Sequence, residues 1–116
     1  MYCKVTMLGR ITKLPELLKT KDNQSVVEFS LALNYKQDSK PDYIRCEAWR
    51  ASAEYLHSYV HKGDLILVEG LLKNRTYEIK GEKRNRTVVV CNLVKLVKRK
   101  GEDFEEGSLF DQMMED

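Results

Sequence analysis

The sequence predicts an all-β domain with one helix, in which five antiparallel strands close into a barrel and the helix lies between strands 3 and 4. Apolar and polar residues alternate along five segments of the first 100 residues, whereas helical spacing occurs in one segment. Parallel βαβ folds need a helix after nearly every strand, so a single helix favours an antiparallel sheet. Five bent strands that close around one core are the architecture of the OB-fold, although the pattern is also compatible with another small barrel.

The first strand is predicted at about residues 2–13, where Gly9 marks a bulge or a bend. Pro15 ends this strand, and the polar turn TKDNQS leads to the second strand in the segment VVEFSLALNYK. The side chains that share the apolar face of this second strand are Val27, Phe29, Leu31, Leu33 and Tyr35.

The third strand, DYIRCEAWR, places aromatic side chains together with charged ones. One face carries Ile44, Cys46 and Ala48, and the other carries Tyr43, Arg45, Glu47 and Trp49. An ordinary half-buried strand would place its rings with the aliphatic side chains, so we interpret the second face as a binding face. Glu47 fits this interpretation only if a basic side chain pairs with it, either Arg45 or a basic residue on the next strand.

The helix and the last two strands follow. Ala53, Leu56 and Val60 have helical spacing, and Gly63 follows them, which predicts a helix at about residues 51–61. The fourth strand, DLILVEGLLKNRTYEI, is long enough to bend at Gly70, and a basic hairpin loop, KGEKRN, joins it to the fifth strand, RTVVVCNLVKLV. We therefore predict a folded domain at residues 1–100 and a disordered acidic tail at residues 101–116.

Charge is divided unevenly between these two parts. Residues 1–100 contain all 20 lysines and arginines but 11 of the 18 acids, a balance of +9, whereas residues 101–116 have a balance of −7. A basic body with an acidic tail fits an anionic partner such as nucleic acid, although charge alone also fits a merely soluble surface. No apolar run is long enough to cross a membrane, and three widely spaced cysteines favour buried, reduced thiols in the cytoplasm.

The sequence lacks the residue patterns of an enzyme or a metal site. His57 and His61 have the spacing of a helical metal-binding pair, but Ser58 stands where a metalloprotease helix has Glu. We find no catalytic grouping of nucleophile, base and orienting residue, and no phosphate-binding glycine loop. These observations predict a non-enzymatic protein without metal or cofactor.

Four aromatic residues on predicted strands or strand ends have Lys or Arg close by: Tyr35, Tyr43, Trp49 and Tyr77. Single-stranded nucleic acid is bound by stacking bases on exposed rings while cations contact the backbone. The sequence therefore predicts a face that binds single strands. Any one of these rings has an alternative role in the core or in a subunit contact, the role that we favour for Tyr55 and Tyr59 on the helix.

Several segments resemble, in order and spacing, the bacterial and phage-type single-stranded DNA-binding proteins. They are KVTMLGRITKLPEL, VVEFSLALN, AWRASAEYLHSYVHKGDLILVEGLLKNRTYE and TVVVCNLVKLV, which extend over residues 1–98. The resemblance implies an OB-fold homotetramer that wraps single-stranded DNA in replication, recombination or repair, with no catalytic step. It also implies a cytoplasmic protein of a bacterium, phage or mobile element, associated with the nucleoid when on DNA.

The resemblance implies roles for individual residues. Rings at the positions of Tyr43, Trp49 and Tyr77 stack on bases, and Tyr35 lies near a further stacking position. The phosphate contacts that the resemblance implies are Lys4, Arg10, Lys62, Lys73, Arg75 and Arg86. The third strand adds Arg45, and the hairpin loop adds Lys83 and Arg84, as further predicted contacts.

The chain departs from the family pattern in its tail and at Leu14, where an acid commonly precedes Pro-Glu. Members that recruit replication and repair enzymes end in an acidic tip with a Pro-Phe pair after a long linker, whereas this chain ends GSLFDQMMED with almost no linker. We expect the tail to dock a replication or repair protein, to compete with DNA for the basic face, or to stay a solubilising segment. The candidate docking residues are Phe104, Phe110 and Asp116.

Three other hypotheses remain open from the sequence. A primosome-type OB-fold dimer would act mainly as a protein bridge and would bind DNA more weakly. An OB-fold enzyme domain or nuclease would need an acid cluster and a base that the sequence does not display. In a purely structural protein, the aromatic residues would pack between subunits.

Overall fold

A computed structural model describes residues 1–37 and 39–101, which form six strands and one helix. The strands are β1 (Val5–Ile11), β2 (Leu18–Lys19), β3 (Ser25–Leu33), β4 (Asp42–Trp49), β5 (Leu65–Ile79) and β6 (Glu82–Lys98). Helix α1 (Ala51–Tyr59) lies between β4 and β5. The prediction of a mainly β domain with one helix is confirmed. The sequence pattern missed β2, because a strand of two residues has no alternation to recognise.

The strands form one sheet that closes on itself. Their order is β1, β5, β6, β4, β3, β2, and the end of β1 also pairs with β3. The pairings are antiparallel except that between β4 and β6, which is parallel. Five long strands, with the helix between the third and the fourth of them, give the OB-fold barrel that the sequence predicts.

Two glycines lie where strands approach each other closely. A Cβ atom on Gly9 would lie 2.6 Å from the carbonyl oxygen of Ala32, and one on Gly70 would lie 2.1 Å from the carbonyl oxygen of Val90. The pairing of β5 with β6 also shifts register between Glu69 and Gly70. The register shift confirms the predicted bend at Gly70. At both glycines a side chain would force the strands apart.

The core lies inside the barrel and is covered at one end by α1. The helix contributes Ala53 and Leu56, and Val60 follows directly after it; each is at most 1% exposed, as the helical spacing predicts. The strands contribute mainly aliphatic side chains, among them Ile11, Val27, Leu31, Ile66, Val68 and Val89. Full burial of one such Leu or Ile stabilises the fold by about 1.5–3 kcal/mol.

The cysteines follow the prediction in part. Cys46 and Cys91 are free thiols in the core. The neighbouring Cys46 thiol and burial raise the pKa of Cys91, so this thiol stays protonated. Cys3 is exposed, and the prediction of a buried thiol is wrong there. Cys3 precedes the first ladder pair of β1, and the sequence placed the start of the strand too early.

The tyrosine and histidine side chains of the α1 region contact the rest of the domain. Tyr55 accepts a hydrogen bond from the backbone N–H of Leu96 at 3.0 Å, and its ring centroid lies 5.2 Å from that of Tyr59. His57 contacts the carbonyl oxygen of Pro15 through Nδ1 at 3.1 Å. Within residues 1–37 and 39–101, no group of side chains is arranged to hold a metal ion, and no helix is long and apolar enough to cross a membrane.

Asp64 joins the turn after α1 to the end of β6. Asp64 is buried, and its carboxylate accepts hydrogen bonds from the backbone N–H groups of His61 at 2.9 Å and Lys100 at 3.0 Å, and from Arg99 at 3.2 Å. Burial raises the pKa of Asp64, but these hydrogen bonds and the charge of Arg99 outweigh burial, so the pKa lies below its usual value. The ionised carboxylate thus fixes the last residues of the barrel.

Candidate nucleic-acid interface

The two faces of β4 have the character that the sequence predicts. Cys46 and Ala48 are buried in the core, whereas Tyr43 is 64% exposed and Arg45 is also exposed. Trp49, at the end of the strand, is half-buried. Two rings and a guanidinium group therefore lie on the outside of the barrel.

β5 and β6 extend this outer face as a long two-stranded ribbon. Val90 of β6 lies opposite Glu47 of β4, so alternate residues of β6 before Val90 lie on the same side as the β4 rings. Arg75 is paired with Arg86 and Tyr77 with Arg84, and side chains of directly paired residues share a face. We call this surface the outer face; its aromatic and basic residues are Tyr43, Arg45, Trp49, Lys73, Arg75, Tyr77, Arg84 and Arg86.

The predicted hairpin between the last two strands is confirmed, but its loop does not extend over residues 80–85 as predicted. The turn consists of Lys80 and Gly81, with φ angles of 51° and 81°, and β6 begins at Glu82. Two successive positive φ angles are typical of a type I′ turn, whose twist matches that of paired strands. Residues 80–85 have the polar composition of a loop because this end of the ribbon packs against no core and needs no apolar side chains.

The opposite side of the ribbon carries polar cross-strand pairs. Thr76 donates a hydrogen bond to Asn85, and Thr87 donates one to Asn74, each at 2.9 Å. Lys83 lies on this side, opposite Glu78. The basic cluster Lys80–Arg86 is therefore divided between two faces, and only Arg84 and Arg86 join the rings.

Arg86 and Tyr77 form a cation–π contact on the outer face. The guanidinium carbon of Arg86 lies 4.9 Å from the centroid of the Tyr77 ring. Nε of Arg86 is buried and has no hydrogen-bond partner among the described residues. Arg84 forms an ion pair with Glu82 at 3.1 Å, but both side chains are mostly exposed, so this pair contributes little stability.

Glu47 lies between the rings and is only 7% exposed. Arg75 donates two hydrogen bonds to its carboxylate, from Nη2 to Oε1 at 2.8 Å and from Nε to Oε2 at 3.2 Å. Trp49 donates a third from its indole Nε1 to Oε1 at 3.1 Å. The basic residue that pairs with Glu47 is therefore Arg75, on the next long strand β5, and not Arg45.

These contacts keep Glu47 ionised. Burial is the largest influence and raises the pKa of Glu47. The hydrogen bonds from Arg75 and Trp49, with the charges of Arg75 and Arg86, outweigh burial and hold the pKa below its usual value. The same contact raises the pKa of Arg75.

A groove beside Trp49 was not anticipated from the sequence. It has a volume of about 580 Å³ and lies between the turn before β3, the start of α1 and the middle of β6. Its wall includes Gln24, which accepts a hydrogen bond from Arg50 at 2.8 Å, and Asn92. Since these residues come from three separate segments, no local pattern could reveal the groove.

Tyr35 lies outside the strands that form the outer face. It is 46% exposed, but β3 ends at Leu33 and the predicted second strand extended too far, so Tyr35 follows the strand. The tail residues Phe104, Phe110 and Asp116 lie outside the described residues.

The remaining predicted basic residues are spread around the barrel. Arg10 is paired with Ala32, which is paired with Tyr43, so Arg10 is two strands from that ring, and it donates a hydrogen bond to the carbonyl of Gly63. Lys4 forms an ion pair with Glu69 at 3.7 Å, and Lys62 lies in the turn after α1. Arg10 is thus closer to the rings than its place in the sequence suggests.

The outer face lies entirely within the part of the chain that matches known proteins. The profile of the Single-strand binding protein family matches residues 2–97. The full chain is 33% identical to Single-stranded DNA-binding protein 2 of Streptococcus agalactiae serotype V, of which it covers 96%. It is 36% identical to Single-stranded DNA-binding protein 1 of Streptococcus pyogenes serotype M6, over 88% of this chain and 82% of that protein. It is 37% identical to Single-stranded DNA-binding protein 1 of Lactococcus lactis, over 84% of this chain and 69% of that protein.

Proposed function

This chain belongs to the single-strand binding protein family, and on that premise we propose that it binds and protects single-stranded DNA without sequence preference. The observation that carries the proposal is the outer face, where Tyr43, Trp49 and Tyr77 lie among arginines on a surface away from the core. Binding of this kind has no catalytic step and needs no cofactor.

The mechanism combines two kinds of contact. Bases stack on the three rings, which is tolerant of sequence because every base has a π face, and each stacked base contributes about 1–3 kcal/mol. Arg45, Lys73 and Arg84 contact phosphates beside these rings and release counterions, which makes the affinity dependent on salt. The proposed contacts further along the strand are Lys4, Arg10, Lys62 and Lys83, and Tyr35 is a proposed stacking position beyond β3.

Titration with oligo-dT tests the proposal. Trp49 is the only tryptophan, so its fluorescence reports on one ring of the outer face. We expect strong quenching that saturates with oligo-dT and weakens as salt concentration rises. An unchanged Trp49 signal in saturating single strand would contradict the proposed site.

We also propose that the chain assembles as a homotetramer. Residues Val5 to Gly9 of β1 pair with β5 but not with β3, which leaves one edge of this segment available to a second copy. Leu71, Leu93 and Val97 on β5 and β6 are each 41–42% exposed and offer apolar surface for the same assembly. A tetramer in a solution mass measurement supports this assembly, and a stable dimer contradicts it.

The biological setting that we propose is DNA replication, recombination or repair in the cytoplasm of a bacterium or of the host of a phage or mobile element. Residues 1–100 form the DNA-binding domain in this proposal. Residues 101–116 form an acidic tail that docks a replication or repair protein through Phe104, Phe110 and Asp116. The support for the tail role is its alternation of acids with apolar residues.

A further inference from the structure

Glu47 is an unexpected residue in a surface that binds phosphates. Its carboxylate lies on the outer face, between one aromatic side chain and several arginines, and it is almost completely shielded from water. An ionised carboxylate repels phosphate at short range. A role in binding must therefore come from what Glu47 does to its neighbours.

The contacts of Glu47 restrict the orientation of two groups. The hydrogen bond from Nε1 of Trp49 to Oε1 fixes one edge of the indole ring, which leaves the flat faces for stacking. Arg75 is paired through Nε and Nη2, so its Nη1 group takes no part in the contact. Arg75 is 36% exposed in its side chain, and Nη1 is left to contact a phosphate.

On the basis of the proposed function, we propose that Glu47 is a positioning residue that holds the Trp49 ring and the Arg75 guanidinium group in the orientation used to bind one nucleotide. A flexible tryptophan and a flexible arginine would each lose rotamer freedom when DNA binds, and this loss weakens binding. With Glu47 in place, that freedom is lost when the protein folds. Base stacking on Trp49 and phosphate contact by Arg75 then act together.

The pairing has an electrostatic consequence that a purely structural role lacks. Arg75 and Glu47 together are neutral, so a phosphate at Arg75 releases fewer counterions than one at an unpaired arginine. Removing the carboxylate charge while keeping the fold therefore makes the affinity depend more steeply on salt.

Glu28 provides a matched control. It lies on β3 directly opposite Glu47, on the same outer face, but it is exposed and has neither an ion pair nor a side-chain hydrogen bond among the described residues. Glu28→Gln removes the same charge from almost the same place and leaves Trp49 and Arg75 in contact with Glu47.

The experiment compares full-length wild type, Glu47→Gln, Glu47→Met and Glu28→Gln. Hydrogen exchange of the Trp49 indole N–H is measured by NMR without DNA, and binding of labelled oligo-dT is measured at several salt concentrations. Glutamine keeps an acceptor for the indole N–H but not the charge, whereas methionine has a similar volume and lacks both. Thermal melts establish that each variant is folded, and Glu47→Gln still tests the charge if Glu47→Met does not fold.

We expect both Glu47 variants to increase the slope of log K against log salt by about 0.7, the contribution of one phosphate on a single strand. We expect Glu47→Met alone to speed exchange of the indole N–H and to bind oligo-dT about 10-fold more weakly at about 0.3 M salt, where charge effects are screened. Glu28→Gln keeps the wild-type slope and exchange rate.

Two results would overturn the inference. If wild type binds oligo-dT and Glu47→Met matches Glu28→Gln in exchange, slope and affinity, Glu47 does not position the site and the proposed function stands. If the wild-type protein does not bind oligo-dT, the proposed function is wrong and the inference is wrong with it.

Discussion

The three rings of the outer face are held to different degrees by their surroundings. Tyr43 is 64% exposed and is the least restrained. Trp49 is fixed at one edge by Glu47, and Tyr77 is covered on one face by Arg86. Tyr77 therefore has one ring face that Arg86 does not cover, and in the proposed mode of binding a base would stack there.

Replacing Tyr43 with Ala, and Tyr77 with Ala, should each weaken binding of oligo-dT by about 1–3 kcal/mol through the loss of one stacked base. The melting temperature of Tyr43→Ala should stay close to that of wild type, because the ring is mostly exposed. Tyr59→Ala removes an exposed ring from α1, away from the outer face, and should bind normally. Binding is measured by anisotropy of labelled oligo-dT.

A different outcome for Tyr43→Ala would support another role. If the variant bound oligo-dT as tightly as wild type but lost its assembly in a mass measurement, the ring would pack between subunits and would not stack on bases.

At the scale of the elements, the ribbon and the barrel are stabilised by different interactions. The ribbon is stabilised by its turn and by polar cross-strand pairs such as Asn74 with Thr87. The barrel end is closed by Asp64, which connects the turn after α1 to β6. The outer face crosses from barrel to ribbon, so its geometry depends on both.

Asp64→Asn should lower the free energy of unfolding at neutral pH by about 1.5–3 kcal/mol, the contribution typical of hydrogen bonds to a charged group. The pKa of Asp64 in the folded protein lies below 3.8, its value without these contacts, so the stability that ionisation contributes is present above that pH. This stability is lost as pH falls below 3.8 toward the folded-state pKa. Denaturant unfolding at several pH values measures the difference between wild type and variant.

The control for this prediction is Asp22→Asn, since Asp22 is an exposed turn residue with no ion pair among the described residues. Its stability should match wild type from neutral to acidic pH. A gap between wild type and Asp64→Asn that stayed constant down to pH 3 would show that the charge of Asp64 contributes nothing.

At the scale of the whole molecule, the distribution of charge matters more than the total. The complete chain has a formal charge of +2, whereas residues 1–100 carry +9. A strand of DNA that approaches the outer face is attracted by the basic domain and repelled by the acids of residues 101–116.

Deleting residues 101–116 should therefore tighten oligo-dT binding by about tenfold in about 0.05 M salt. The difference should shrink toward zero as salt rises to about 1 M, where the screening length is about 3 Å. Parallel titrations of both proteins at several salt concentrations measure this effect. Equal affinities at low salt would mean that the acids do not act on the DNA-binding surface.

Local patterns by themselves determined most of the elements and the character of their faces. Alternation placed the buried and exposed sides of β4, and helical spacing placed Leu56 and Val60 in the core. The family was also recognisable from the sequence, because the segments that carry the resemblance are short and contiguous. Alternation of this kind is a property of neighbouring residues, so it can be recognised from a single sequence.

Only the tertiary structure decided which of these residues meet. Glu47 and Arg75 are 28 positions apart, and their contact depends on β6 lying beside both β4 and β5. Arg10 came near Tyr43 through the closure of the barrel, and the predicted hairpin loop became strand through cross-strand pairing. Strand order and register arise from long-range contacts that local periodicity does not encode. The sequence therefore determined which aromatic and basic side chains are present, and the fold determined how they are arranged.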